Sequence, residues 1–350
     1  MKIELIDTVE LPRGFTAAGI AAGIKRSGKK DLMLIASDRP AACAGVFTTN
    51  QVQAAPVKLD REVVKRGVAR ALVVNSGNAN ACTGAQGMRD VKTMASLVAK
   101  LLKLKPSDVL VCSTGAIGKP MPMNTISAGI RNVVPALTAS GGNDAADAIM
   151  TTDTRKKTAT VKLVIDGKPV TLTAFAKGAG MIEPNMATML GFFLTDAVVE
   201  PRALRHALKQ AVDASFNRIS VDGDMSTNDT CLLLANGAAG NNPLTPKHKD
   251  WNAFASALFV MALDLAKKIA RDGEGASKLI TVRIEGARTD AEADAAARAV
   301  ANSMLVKTCW NGDYPNWGRI MDALGYSPAK VDETKVDIFY DALQAVRKGV

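Results

Sequence analysis

Short apolar runs that end in polar turns alternate with helix-like stretches, and this alternation limits the folds open to the chain. Three runs have the length and apolar character of buried strands: DLMLIAS, ARALVVNSGN and SDVLVCSTG. Residues 158–176 alternate polar and apolar side chains and contain the turn pair Asp166-Gly167, which predicts a β-hairpin.

Helical stretches separate several of these strands. RDVKTMASLVAKLLKL has apolar residues at the 3.6-residue period, and EPRALRHALKQAVDASF has Pro201 in its first turn followed by an apolar stripe. Two further helices are predicted over about 251–270 and 292–305. The combination of hairpins and helices predicts α/β layers rather than a purely parallel sheet.

The composition is that of an ordinary globular protein, and neither an export signal nor a membrane span is predicted. The chain has 350 residues, of which 47% are hydrophobic. Its N-terminal stretch carries acidic residues where a signal peptide has an apolar core. The longest apolar run, FASALFVMALDLAKK, is shorter than the ~20 residues that cross a bilayer and predicts a buried helix. Because no apolar run is long enough to span a bilayer, we expect no membrane partner. The five cysteines form no CxxC pair, and with no export signal we expect a cytoplasmic protein with reduced thiols.

The net charge of +10 favours anionic partners of some kind. The basic residues are scattered, apart from KRSGKK at 25–30, and aromatic residues make up only 4% of the chain. Aromatic platforms for stacking bases are therefore scarce, and we expect no nucleic-acid partner. Binding of small anions stays open.

The usual catalytic sets are hard to build from this sequence. Only His206 and His248 are available, in an amphipathic helix and a polar turn, and both are expected to be solvated surface side chains. A Ser-His-Asp triad and a His/Cys zinc site are therefore not expected, and no phosphate-binding glycine loop is present. DGDMSTND lacks the spacing of an EF-hand loop, so no metal is expected.

One nucleophile needs no histidine, and the segment KGAGMIEPNMATMLGFFLTDA contains a candidate for it in Thr188. If the chain is cut before Thr188, the new α-amine, with a pKa of about 7.7–8.0, can take the proton of its own hydroxyl. The preceding Ala187 is small and leaves room for the hydroxyl to attack the peptide carbonyl. The alternative is an ordinary strand threonine with a satisfied hydroxyl.

The motif KGAGMIEPNMATML resembles the cleavage site of the ornithine acetyltransferase family, which are self-processing enzymes of arginine biosynthesis. Other blocks resemble the family in the same order along the chain: LPRGFTAAGIAAGIK, GVFTTNQVQAAPV, NSGNANACTG, STGAIG, TTDT, SFNRISVDGDMSTND, DGEGASKLI and PNWGRI. The resemblance implies an α/β fold, the layered αββα sandwich of the DmpA/ornithine acetyltransferase type. It also implies an α chain of residues 1–187 and a β chain of residues 188–350.

The resemblance implies a role for seven residues. Thr188 is the family's nucleophile, and cleavage falls between Ala187 and Thr188. STGAIG matches the oxyanion hole, which assigns that role to Thr114 and Gly115; the alternative is a simple strand-to-loop turn. The substrate-binding residues correspond here to Thr151, Lys177, Thr188 and Glu274.

Lys177 then suits the α-carboxylate of acetylornithine or glutamate, and Glu274 suits the side-chain ammonium of ornithine. The alternatives are a solvated lysine after a hairpin and a glutamate near a helix end. The Asn- and Asp-rich segments NSGNANACTG and SVDGDMSTND are expected to form Asx turns, without a catalytic role.

The implied reaction is ping-pong acetyl transfer from N2-acetylornithine to glutamate, which needs no cofactor. Acetyl-CoA is an additional co-substrate of some members, and the family implies self-association as α2β2. Two alternatives stay open: a self-processed aminopeptidase of the same fold, and an unprocessed, inactive homologue that acts as a binding subunit.

The sequence departs from the family in two places. The family has an aspartate directly before the proline of the PNWGRI block. Here Tyr314 precedes Pro315, and the aspartate, Asp313, lies one position earlier. Family members also continue for several tens of residues, to a segment that gives the substrate site an Asn and a Ser or Thr. The present sequence stops at LQAVRKGV, and those two ligands cannot be named in it.

Overall fold

A computed structural model describes residues 3–6, 8–183 and 189–350. The described residues divide into two compact units, Met1–Glu274 and Gly275–Val350. Each unit has its own hydrophobic core. Among the described residues, no helix combines the length and apolar character needed to cross a bilayer.

The first unit contains one sheet of eight described strands. The strands are β1 (Phe15–Ile20), β2 (Leu32–Phe47), β3 (Val68–Asn78), β4 (Val109–Ala116), β5 (Lys157–Ile165), β6 (Lys168–Lys177), β7 (Leu190–Thr195) and β8 (Thr230–Ala235). Their order is β4-β3-β2-β8-β7-β6-β5, with β1 paired to β2 outside this path. The pairs β3–β4 and β7–β8 are parallel and the others are antiparallel, so the sheet is mixed, as predicted.

Six helices of this unit lie within the described residues. They are α1 (Ala55–Arg66), α2 (Gly84–Leu102), α3 (Met123–Val133), α4 (Gly142–Ile149), α5 (Pro201–Asp213) and α6 (Trp251–Arg271). The predicted helices over 89–104, 200–216 and 251–270 are confirmed by α2, α5 and α6. The predicted hairpin is confirmed by β5 and β6, which Asp166 and Gly167 join.

Alternate residues along the strands pack into different cores, which shows how the layers are arranged. Phe193 of β7 belongs to the core beneath α5 and α6, whereas its neighbour Phe192 shares a second core with Val74 of β3. Val73 of β3 packs in a third core beneath α2 and α3. The two halves of the sheet therefore face each other across the second core, with helices on both outer faces. This is the αββα sandwich predicted above.

Strand β2 belongs to both β layers. Its first part pairs with β1 and β3, and its last six residues pair with β8. The pairing with β3 is interrupted between Ala36 and Ala41, where Pro40 lacks the backbone N–H of a ladder residue. The strand leaves one layer and enters the other at this irregularity.

The predicted α and β chains share this sheet. Strand β6 precedes residue 187 and pairs with β7, which follows residue 188. The predicted chain boundary therefore lies between two neighbouring strands and not between two folding units. The division into chains 1–187 and 188–350 stays a prediction.

The second unit has three helices and a hairpin within its described residues. These are α7 (Asp290–Asn302), α8 (Met304–Asn311), α9 (Trp317–Gly325), β9 (Ile338–Tyr340) and β10 (Leu343–Val346). The prediction of a single helix over 292–305 was wrong at the C-terminal end. Helix α7 ends at Asn302, and the Ser303 hydroxyl caps α8 by accepting a hydrogen bond from the Val306 amide at 3.3 Å.

Candidate active site

The structure brings together Thr114 and Lys177, two of the residues that the family resemblance singled out. Thr114 lies near the end of β4, and Lys177 is the last residue of β6. Lys177 Nζ donates a hydrogen bond to Thr114 Oγ1 at 3.2 Å, and the two residues are only 4% and 9% exposed. The alternative of a solvated lysine after the hairpin is therefore wrong.

Gly115 occupies a position that only glycine can fill. Its φ of +131° lies in a region that residues with a side chain rarely adopt. It also pairs with Gly77 of β3, and a Cβ at Gly115 would lie 2.3 Å from the Gly77 carbonyl carbon. The ends of β3 and β4 thus approach at backbone contact distance.

Asp153 connects Thr151 to the segment that follows Lys177. Its Oδ2 accepts a hydrogen bond from the Thr151 amide at 2.9 Å, and its Oδ1 accepts one from the Gly178 amide at 2.7 Å. The Asp153 side chain is buried, and its bond with the Gly178 amide is buried with it. Sequence reasoning selected the first threonine of TTDT but missed the aspartate that holds it beside Lys177.

A buried ion-pair network continues from Asp153 towards Glu274. Lys157 Nζ lies 2.6 Å from Asp153 Oδ1 and 2.6 Å from Asp272 Oδ2, and the lysine side chain is 1% exposed. Asp272 also accepts a hydrogen bond from the Thr154 amide at 3.0 Å. Lys157 therefore joins the TTDT turn to the start of the DGEG motif.

Glu274 lies at the end of this network and next to the segment after Lys177. Its amide donates to the Ala179 carbonyl oxygen at 2.8 Å. Its carboxylate lies over Gly180, where a Cβ would be 2.5 Å from Glu274 Oε1. Thr114, Gly115, Thr151, Lys177 and Glu274 are thus linked through one set of described contacts.

The electrostatics of the site depend on burial and on paired charges. Burial lowers the pKa of Lys177 below its ordinary value, and the attraction of the Asp153 carboxylate opposes this shift. Burial alone would raise the pKa of Asp153, but the Lys177 and Lys157 ammonium groups and hydrogen bonds bring it down to about 2. Asp153 is therefore an anion at neutral pH.

Thr188 and Ala187 lie outside the described residues, but the structure describes the segments on both sides. Asp222 accepts hydrogen bonds from the Met181 and Ile182 amides at 2.6 Å and 2.7 Å. Asp229 Oδ1 accepts one from the Met189 amide at 2.7 Å. Both aspartates belong to SVDGDMSTND, so one segment holds the two sides of the predicted cleavage site.

Asn228 ties the same segment to the C-terminal ends of β3 and β4. Its Nδ2 donates to the Ala79 carbonyl oxygen at 2.6 Å and to the Ser113 carbonyl oxygen at 2.8 Å. Burial also raises the pKa of the neighbouring Asp229 well above its ordinary value. The sequence shows that this segment is rich in Asn and Asp, but it does not show which residues these side chains bind.

His248 is not the solvated side chain that the sequence suggested. It is 12% exposed, its Nε2 lies 3.1 Å from Asp166 Oδ2, and its Nδ1 accepts a hydrogen bond from the Asp250 amide at 3.1 Å. Asp166, His248 and Asp250 have the spacing of metal ligands. The hydrogen bonds already account for this arrangement at the β5–β6 turn, and we infer no metal there.

A family model described as the ArgJ family matches residues 16–350. The chain belongs to the ArgJ family. The arginine biosynthesis bifunctional protein ArgJ of Symbiobacterium thermophilum is 56% identical, with 97% of this chain and 85% of that protein covered. ArgJ of Caldanaerobacter subterraneus is 54% identical, with 96% and 84% covered.

Two solved structures, one of an ArgJ protein and one of an ornithine acetyltransferase, resemble the chain in fold as well as in sequence. The structure from Bacillus halodurans is 40% identical with a TM-score of 0.50, and the match covers 54% of this chain and 98% of that chain. Ornithine acetyltransferase from Mycobacterium tuberculosis, solved with ornithine, is 42% identical with a TM-score of 0.50, and 54% and 100% are covered. The family resemblance and the fold class expected from the sequence are therefore confirmed.

Proposed function

We propose that this ArgJ protein transfers the acetyl group of N2-acetylornithine to glutamate through an acetyl ester on Thr188. Membership of the ArgJ family makes the chain an acetyltransferase of arginine biosynthesis. The observation that carries the specific reaction is the buried contact between Lys177 and Thr114, on the network that also holds Thr151 and Glu274.

The Lys177–Thr114 contact orients the proposed oxyanion donor. A lysine ammonium only donates hydrogen bonds, so Thr114 Oγ1 is the acceptor in this pair. The hydroxyl hydrogen of Thr114 then stays available for the oxyanion, and the adjacent cation strengthens it as a donor. The Gly115 amide is the proposed second donor. Together they stabilise the tetrahedral intermediate.

The proposed reaction has two half-reactions. The α-amine of Thr188 accepts the hydroxyl proton while the oxygen attacks the acetyl carbon of N2-acetylornithine. The carbon–nitrogen bond breaks, the departing amine of ornithine takes the proton, and an acetyl-threonine ester remains. The amine of glutamate then attacks the ester, which gives N-acetylglutamate and restores the hydroxyl. Neither half-reaction uses a cofactor or a metal.

The substrate contacts follow from the charges at the site. Lys177 is the proposed partner of the substrate α-carboxylate, because its ammonium is buried and has one described hydrogen bond. Glu274 is the proposed partner of the side-chain ammonium of ornithine. The Mycobacterium tuberculosis relative, solved in complex with ornithine, supports this choice of ligand.

Self-cleavage between Ala187 and Thr188 is the proposed origin of the nucleophile. The two solved relatives match 54% of the 350 residues, or about 189, and 98% to 100% of their own chains. A separate chain of this length is what cleavage after residue 187 would release. Because β6 and β7 pair across the cut, the two products stay together, and we propose that they assemble as α2β2.

We also propose a second donor, acetyl-CoA, because the curated relatives are named bifunctional. The same acetyl ester on Thr188 would then form from a thioester, with release of the thiol. We place both reactions in the cytoplasm, where the five free cysteines stay reduced.

The proposed function predicts that acetyl release depends on glutamate. With N2-acetylornithine alone, we expect one equivalent of ornithine per active site and no sustained acetate release. With glutamate added, we expect continuous formation of ornithine and N-acetylglutamate in equal amounts, measured by chromatography. Equal acetate release with and without glutamate would instead identify a hydrolase, as in the aminopeptidase alternative.

A further inference from the structure

Lys25 is a second cationic side chain beside the site, and it lies in the loop between β1 and β2. Its Nζ donates hydrogen bonds to the Met150 carbonyl oxygen at 2.6 Å and to the Lys30 carbonyl oxygen at 2.7 Å. Met150 immediately precedes Thr151, a proposed substrate ligand. Lys25 therefore approaches the site from the side of Thr151.

A second contact places Lys25 beside the C-terminal end of β3. A Cβ at Gly77 would lie 3.4 Å from Lys25 Cγ, and Gly77 is the residue in backbone contact with Gly115. The stem of Lys25 thus crosses the end of β3 while its ammonium reaches Met150. Two independent contacts connect this side chain to Met150 and Gly77, which are immediate neighbours of the predicted site residues Thr151 and Gly115.

The position of Lys25 is fixed by the fold. The fully buried Asp31 accepts hydrogen bonds from the amides of Ala22 at 2.7 Å, Ile24 at 2.7 Å and Lys25 at 2.9 Å. These bonds hold the backbone of the loop at the base of the side chain. The backbone of Lys25 is therefore held in place, whereas Lys29 of the same basic loop is exposed.

The described hydrogen bonds of the Lys25 ammonium both go to uncharged carbonyl oxygens. An ammonium has three N–H groups, and two of them bind carbonyl oxygens. Burial lowers the pKa of Lys25 to about 8; Asp31 and Asp153 oppose this shift, whereas Lys177 and Lys29 add to it. Asp31 is occupied by backbone amides and Asp153 by Lys157. An anion from outside would complete this environment.

The two substrates of the proposed reaction pose a problem that Lys177 and Glu274 do not solve. Ornithine has a side-chain ammonium, which suits Glu274, but glutamate has a side-chain carboxylate, which Glu274 repels. A second cation would let a ping-pong site receive both molecules in turn and distinguish glutamate from uncharged analogues. Lys157 is buried between two carboxylates, and Lys177 is the proposed α-carboxylate partner. Among the described residues, Lys25 is a cation beside Thr151 and Gly77 that has neither of these roles.

We propose that Lys25 binds the side-chain carboxylate of the acceptor glutamate and selects this acceptor over uncharged analogues. The inference rests on the proposed function, because it assumes that glutamate attacks the acetyl ester. It assigns ornithine and glutamate side chains to different partners within one site.

The test compares glutamate with glutamine as acceptor in wild type and in Lys25→Met. Glutamine has the same length but an uncharged side chain, and both acceptors attack the same ester. Any effect of the substitution on ester formation therefore cancels in the ratio of their kcat/KM values. We expect this ratio to fall by about 10- to 100-fold in Lys25→Met, the value of one charged hydrogen bond. Lys29→Met, in the same loop, should keep the wild-type ratio.

Calorimetric binding of glutamate and glutamine to the free enzyme gives a readout that does not need turnover. We expect Lys25→Met to lose its preference for glutamate, with a small change in glutamine affinity. Equal losses for both ligands, or an unchanged preference, would overturn the assignment. A wild-type enzyme that binds glutamate but forms no N-acetylglutamate would contradict the proposed function, while the binding preference still decides the role of Lys25.

Discussion

Thr188→Ala is expected to remain a single chain of 36.7 kDa and to transfer no acetyl group. The substitution removes the hydroxyl that attacks both the preceding peptide carbonyl and the acetyl group. Without cleavage the α-amine that serves as base is also never formed, so both functions are lost together. Removal of a covalent nucleophile costs about 10⁴-fold or more in kcat. An electrophoretic gel and the assay of ornithine release measure the two effects.

Two control variants separate the chemistry from folding. Thr188→Ser keeps a hydroxyl at the same position, so we expect it to be cleaved and to retain activity. Thr195→Ala removes a buried hydroxyl from β7 that donates to the Thr171 carbonyl oxygen at 3.0 Å. This variant should lose about 1 kcal/mol of stability but should be cleaved and active. Cleavage of Thr188→Ala at the same junction would contradict the assignment of the nucleophile.

Lys157→Ala is expected to have the largest effect on stability of any lysine substitution in β5. It leaves the buried Asp153 without its ion-pair partner and removes the link to Asp272. Breaking a buried ion pair by removing one partner costs about 3–5 kcal/mol. Denaturant unfolding measures the loss of unfolding free energy. Circular dichroism first shows that the variant is folded.

The matched control is Lys162→Ala, on the same strand. Lys162 pairs with Glu10 in a bridge whose side chains are both 53% exposed. Solvent screens this pair, so we expect a change of about 0.5 kcal/mol or less. Similar losses in the two variants would show that the buried network does not stabilise the fold in the way described.

The same network explains which parts of the site were accessible to sequence reasoning. Apolar periodicity predicted α2, α5, α6 and the β5–β6 hairpin, because each depends on neighbours close in sequence. Asp153 and Asp272 are 119 residues apart in the chain, and Lys157 joins them only after folding. No local pattern identifies such partners.

The polar segments were recognised in the sequence, but their structural role was underestimated. SVDGDMSTND was expected to form turns, yet Asp222 and Asp229 bind amides on opposite sides of residues 184–188. Asn228 reaches the ends of β3 and β4, more than 110 residues earlier in the chain. His248 was assigned to solvent because its turn is polar, but its partner Asp166 lies 82 residues away. Side-chain hydrogen bonds between distant segments are what the sequence alone does not specify.

N-terminal sequencing of the active wild-type protein tests the central claim most directly, since the proposed chemistry requires a threonine with a free α-amine. We expect two sequences in equal amounts, one from the original N-terminus and one that begins TMLGFF. Intact masses should match chains of 187 residues and the remaining 163 of 350. A fully active preparation with a single N-terminal sequence and an uncut mass would contradict this account of the nucleophile.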